Sequence, residues 1–239
     1  MHGAAELSGD PRTREIAQRL AAVRARIEAA AREAGRDPAE LTLVAVTKTF
    51  PVEDARRLVE LGVTELGEAR DQEARVKARE FPEPRWHFVG RLQRNKAASV
   101  ASYAAVVQTV DRPELVRALA SGAERAGRDR IDVLVQVSLD GDPSRGGALP
   151  DDIGALADAA TRTGRLRVGG VMAVAPLDAD PDAAFAKLAD VAERLRADHP
   201  AATVVSAGMS ADLEAAVRHG ATHLRIGTAL LGGRPPPRG

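Results

Sequence analysis

"LTLVAVTKTFPVEDARRLVELGVTELGE", Leu41–Glu68, holds the pattern that decides the fold. It opens with a β-branched apolar run, Leu41–Val46, too short for a buried helix and of ordinary strand length. A proline follows, and then Val52–Gly62 reads as a helix closed by its glycine. Val63–Glu68 is short and strand-like again. Strand, helix and strand within so few residues describe a βαβ unit, whose crossover makes the two strands parallel and the connection right-handed.

The same alternation continues to the end of the sequence. Strands are expected at Trp86–Gly90, Ala105–Val110, Asp132–Leu139, Val168–Val174, Thr203–Gly208 and Thr222–Gly227. Helices are expected at Ala69–Glu80, Arg91–Ser102, Arg112–Gly127, Asp151–Thr163, Asp182–His199 and Ala211–His219. Upstream, Ile16, Leu20, Val23 and Ile27 recur at three- and four-residue spacing, which predicts an additional amphipathic helix from about Pro11 to Gly35. Eight strands with helices between them predict a closed (β/α)8 TIM barrel carrying an extra N-terminal helix; an open doubly wound sheet is the rival. Near-continuous apolar strands suit a sheet buried on both faces. No linker divides the 239 residues, so one domain is expected over 1–239, with flexible tails at about 1–10 and 233–239.

Composition narrows the function. Formal net charge is zero and aromatic residues make up 3%, which speaks against a nucleic-acid surface. There are no cysteines, so disulfides, thiolate metal sites and a cysteine nucleophile are excluded together. The five histidines show no metal-ligand spacing. The N-terminal stretch is polar and no apolar run reaches membrane-span length, so a cytoplasmic protein without membrane attachment is expected. A monomer is expected from the scarcity of aromatics.

In a barrel the chemistry collects at the C-terminal ends of the strands. Lys48 follows the first strand. Only four lysines stand against thirty arginines, so a lysine retained there invites a role arginine cannot fill, that of a nucleophilic amine. After the seventh strand, "SAGMS" offers Ser206, Gly208, Met209 and Ser210; Ser210 is placed to cap the next helix and, with its first N–H groups, to hold an anion. The eighth strand ends in Arg225, Gly227 and Thr228, where backbone can approach a ligand closely. Singly, Ser210 reads as a cap, Gly227 as a turn and Lys48 as a snorkelling strand-end lysine. Together, in adjacent loops, they suggest a phosphate site beside an amine. A phosphorylated aldehyde such as pyridoxal 5′-phosphate, which condenses with lysine, fits that pair.

The segments "AVTK" (Ala45–Lys48), "WHFVGRLQRNK" (Trp86–Lys96), "VQVS" (Val135–Ser138), "GVMAV" (Gly170–Val174), "GMSAD" (Gly208–Asp212) and "RIGTALLG" (Arg225–Gly232) resemble those of the pyridoxal-phosphate homeostasis proteins, single-domain relatives of the alanine racemase N-terminal barrel. The resemblance runs over nearly everything after Leu41, and its most distinctive segment contains Asn95, the only asparagine in the sequence. It implies that Lys48 holds pyridoxal 5′-phosphate as a Schiff base. It implies that Ser210 and the backbone of Gly227 and Thr228 hold the phosphate, and that Arg225 faces the pyridine nitrogen. A guanidinium donates a hydrogen bond but yields no proton, so the ring nitrogen would stay unprotonated and carbanion chemistry would gain little. Three positions depart from the family pattern: "GEAR" (Gly67–Arg70) puts Ala69 where asparagine is usual, "RGG" (Arg145–Gly147) replaces Lys-x-Gly, and Leu231 replaces a phenylalanine.

Alanine racemase draws a second proton donor, a tyrosine, from a separate domain. Here the only tyrosine, Tyr103, lies between the third and fourth strands, on the side away from the expected site. No catalytic residue is therefore assigned. The expected function is binding, buffering or delivery of the cofactor, with transient apo-enzyme partners and an effect on vitamin B6 and amino-acid/keto-acid balance. The alternatives are a small racemase using Lys48 as base, or a barrel aldolase or phosphate-sugar enzyme without the cofactor.

Overall fold

A computed structural model describes residues 10–233. Its eight strands close into a barrel in sequence order: β1 (Thr42–Val46), β2 (Glu65–Glu68), β3 (Arg85–Phe88), β4 (Val106–Val110), β5 (Ile131–Gln136), β6 (Leu166–Met172), β7 (Val204–Ser206) and β8 (His223–Ile226). Every neighbouring pair is parallel, and β8 closes on β1 with Ala45 beside Ile226. The predicted TIM barrel with an extra N-terminal helix is the observed fold.

The helices are α1 (Pro11–Glu33), α2 (Val52–Glu60), α3 (Asp71–Glu80), α4 (Ala97–Tyr103), α5 (Pro113–Arg125), α6 (Ile153–Arg162), α7 (Pro181–Asp198), α8 (Leu213–Arg218) and α9 (Thr228–Leu231). Most of the apolar core lies between the strands and this outer ring; Leu58, Leu115, Leu119, Leu188 and Leu213 are buried there. Inside the barrel a smaller plug forms from Val106, Leu134 and Met172, with Val204 against it. Leu20 and Val23 of α1 are buried at 2% exposure, as their spacing predicts. The helix begins at Asp10, whose carboxylate accepts from the N–H groups of Arg12 and Thr13. Asp10 is thus a helix cap and not part of a loose tail; the rest of the expected N-terminal tail, and the expected C-terminal one after Gly233, lie outside the described residues.

Boundaries differ where tertiary contacts intervene. The expected helix Arg91–Ser102 starts later: Arg94–Lys96 is a 3₁₀ turn, and α4 begins at Ala97. Leu92 is drawn into the core, while exposed Arg91 lies ahead of the helix and donates to the Ser144 carbonyl at 3.1 Å. Strands β5, β6, β7 and β8 all end before the expected points, and the chain passes from there into the loops of the C-terminal mouth.

Candidate functional site

The β1–α2 turn carries Lys48, half-buried, between two threonines. Thr49 has φ 72°, a left-handed conformation that a β-branched residue adopts at a cost of about 1–3 kcal/mol. Three groups hold it. The Thr49 N–H donates to Glu73 Oε2 at 3.0 Å, Thr47 Oγ1 donates to Glu68 Oε1 at 2.6 Å, and Lys77 Nζ donates to the Thr47 carbonyl at 2.8 Å and to Glu68 Oε1 at 2.6 Å. Glu73 and Lys77 are both on α3, a helical spacing of four that aims them at one turn. Burial pushes the Glu68 carboxyl up, opposed by the Lys77 ammonium. Thr49 Oγ1 and Glu68 Oε2, both in the cluster around the Lys48 turn, are buried without a hydrogen-bond partner.

Next door, the loops after β7 and β8 meet. Ser210 Oγ accepts from the Ala229 N–H at 3.3 Å, which leaves its own hydrogen for a ligand. Thr228 opens α9, so its N–H has no acceptor within the helix. A side chain on Gly227 would press on the Val46 carbonyl at 3.3 Å, so the glycine lets this loop lie against the end of β1 just before Lys48. Gly208, at φ 87°, is packed so closely that a Cβ would sit 2.7 Å from that of Ala216; no other residue suits that position.

Ser210 does not cap the following helix, contrary to the expectation. Helix α8 starts at Leu213, and Asp212 instead accepts from the Met209 N–H at 2.6 Å. That bond consumes the Met209 donor, and the side chain is 36% exposed, so Met209 does not converge with the others.

Arg225 is buried inside the barrel. Its Nη1 donates to Ser206 Oγ and its Nη2 to the Ala173 carbonyl, both at 2.8 Å. Burial pulls the guanidinium down to about 10, still well above neutral, so it remains a cation. Ser206 is fully buried behind it and spends its hydrogen on Gln108 Oε1 at 2.7 Å, so Ser206 orients Arg225 and does not line the mouth. Gln108, His87 and Glu65 extend this polar line toward the opposite mouth, and the sequence reading assigned no role to any of the three. The available signal was a glutamine and a histidine inside otherwise largely apolar strands, in "AVVQTV" and "WHFVG".

The donor set suits a phosphorylated pyridine aldehyde: hydroxyl and backbone N–H groups for a phosphate, one amine at the end of β1, and one permanent donor on β8. Tyr103 lies apart, on α4, donating to Asp71 Oδ1 at 3.3 Å, with burial and then Asp71 pushing its hydroxyl upward. No group of three or more His, Asp or Glu side chains suited to a metal occurs among the described residues, and no helix among them is long and apolar enough to cross a membrane.

Known proteins share both the barrel and these segments. Residues 18–235 match the family model of the alanine racemase N-terminal domain. A pyridoxal phosphate homeostasis protein of Mycobacterium tuberculosis is 44% identical, over 97% of this chain and 98% of its own length. One from Escherichia coli is 35% identical over 92% and 97%. The structure of PipY from Synechococcus elongatus with PLP bound superposes with TM-score 0.78 at 32% identity, covering 91% of this chain and all of that one. Alanine racemase from Clostridium difficile, at 16% identity and TM-score 0.66, shares the fold. On these matches the chain belongs to the pyridoxal phosphate homeostasis protein family.

Proposed function

We propose that this protein binds pyridoxal 5′-phosphate as a Schiff base on Lys48 and buffers or delivers it, contributing to vitamin B6 and amino-acid/keto-acid balance. The observation that carries the reading is a buried, charged Arg225 on β8, paired with Val44 of the strand that leads to Lys48, with Gly227 after it lying against the Val46 carbonyl and the Ala229 N–H donating to Ser210. When bound, the cofactor supplies an aldehyde that condenses with a primary amine and a pyridine ring that withdraws electrons from it. Ser210 Oγ and the Thr228 N–H would bind the phosphate oxygens, and Gly227 would let their loop lie close to the Lys48 turn. Arg225 would donate to the ring nitrogen and keep its own proton, which limits electron withdrawal by the ring. The Thr47–Thr49 turn, pinned from α3, would keep Lys48 aimed at the mouth.

The PLP-bound PipY structure supports the ligand class. A racemase would need a second acid–base group facing Lys48, and Tyr103, the only tyrosine, is engaged with Asp71 on α3. The carrier reading therefore stands ahead of the racemase. In this reading the protein works as a cytoplasmic monomer and passes the cofactor to apo-enzymes by transient contact. Borohydride reduction of the loaded protein followed by peptide mass spectrometry tests the site: a phosphopyridoxyl adduct is expected on the peptide holding Lys48 and absent from Lys48→Ala. An adduct confined to another lysine overturns the assignment.

A further inference from the structure

Five polar side chains cross the inside of the barrel in one hydrogen-bonded line. Arg225 Nη1 meets Ser206 Oγ at 2.8 Å, Ser206 Oγ meets Gln108 Oε1 at 2.7 Å, Gln108 Nε2 meets His87 Nδ1 at 2.7 Å, and His87 Nε2 meets Glu65 Oε2. Ser206 and Gln108 are fully buried and His87 is 2% exposed. The line begins at β8, passes through β7, β4 and β3, and ends on β2 at the N-terminal mouth, where Glu65 also meets Arg85.

The direction of every bond follows from one end. A guanidinium only donates, so Ser206 Oγ accepts from Arg225 and has one hydrogen left, which goes to Gln108 Oε1. The amide nitrogen of Gln108 then faces His87 and donates, so Nδ1 carries no proton. The ring hydrogen therefore sits on Nε2 and goes to Glu65. Arg225 thus dictates the tautomer of a histidine three side chains away. Around His87 stand Glu65 on β2, Arg85 on its own strand, Gln108 on β4 and, with ring centroids 6.4 Å apart, His223 on β8; Asp132 on β5 holds Arg85 at 3.1 Å.

We infer that His87 and Gln108 are positioning residues that hold the Arg225 guanidinium for the cofactor's ring nitrogen, through Ser206. The inference rests on the reading that Arg225 faces the ring.

The test uses the full chain in two ways. In protein carrying isotope-labelled histidine, two-bond proton–nitrogen spectra at neutral pH are expected to show His87 unprotonated at Nδ1 and protonated at Nε2; the reverse tautomer, or rapid averaging, overturns the inference. In Gln108→Leu, the visible band of the bound cofactor is expected to move and its affinity to fall by about tenfold, the scale of one lost buried hydrogen bond. Gln108→Glu, whose carboxylate accepts from both neighbours, is expected to keep affinity nearer to wild type while drawing a proton onto Nδ1. A purely structural role for Gln108 would lower the melting temperature and leave the band in place, and an unmoved band in both variants overturns the inference. If Gln108→Leu does not fold, Gln108→Glu and the wild-type tautomer decide. If the wild-type protein develops no visible band with pyridoxal 5′-phosphate, the proposed function fails. The relay is then judged by the tautomer and by faster exchange of the Arg225 side-chain hydrogens in Gln108→Leu than in Gln108→Glu.

Discussion

Lys77 is the second of the four lysines with a task that arginine would perform poorly. Its compact ammonium fits a site of 6% exposure between the Thr47 carbonyl and Glu68, where a planar guanidinium would need more acceptors. Taking away one member of a buried pair leaves the other charge stranded, so Lys77→Met is expected to cost about 3–5 kcal/mol in urea unfolding. Adding Glu68→Gln to that variant is expected to recover at least about 1 kcal/mol, since the two side chains share one hydrogen-bond cluster. A strictly additive pair would mean that the two do not interact. At this scale Lys48 was legible as an unusual residue in an unusual place. The strain at Thr49 and the three contacts holding it were not, because Glu68, Glu73 and Lys77 are only ordinary charges until α3 folds back over β1.

The additional helix α1 does more than cover the outside of the barrel. Arg26 reaches from its solvent side to the Ser210 carbonyl at 3.1 Å and to Glu214 at 2.8 Å, bracing the loop assigned to the phosphate. An exposed ion pair contributes about 1 kcal/mol or less, so Arg26→Ala is expected to leave the unfolding midpoint nearly unchanged. Pyridoxal 5′-phosphate affinity is expected to fall several-fold in a spectroscopic titration, because Ser210 loses its support; equal affinity would separate α1 from the site. Leu20→Ala, by contrast, opens a cavity under the same helix and is expected to cost about 2–5 kcal/mol. The period of the apolar residues revealed α1 from sequence. It could not reveal that Arg91–Ser102 would start late as a helix, since the burial of Leu92 and the reach of Arg91 to Ser144 depend on the β5 loop.

Across the whole molecule, charge gathers at the N-terminal mouth of the barrel, where Arg85 joins Glu65 and Asp132, and Arg167 binds Asp132 at 2.6 Å. His223 lies among them, pulled down to about 4 by burial and then by His87. Its unfolded counterpart titrates near 6.5, so between those values the unfolded chain binds more protons than the folded one. Stability is therefore expected to fall as pH drops from about 6.5 to 4, by about 2–3 kcal/mol. His223→Gln is expected to flatten that slope in urea titrations, and an unchanged slope would place the acid sensitivity elsewhere. Glu65 and Asp132 act in the same direction at lower pH: burial would raise both, but His87 and the arginines hold them below the usual carboxylate range.

By itself the sequence determined the barrel, its extra helix and the ring of loops where the chemistry collects. Strand and helix periods are local, and eight alternations with right-handed crossovers leave few ways to close. Only the tertiary structure decided which polar groups meet. Ser206 faces Arg225 instead of the mouth, Asp212 takes the Met209 donor, and Ser210 turns to α9, because the stagger of the strands sets the height of each side chain along the barrel axis. That stagger is a property of the closed sheet and is written in no single segment.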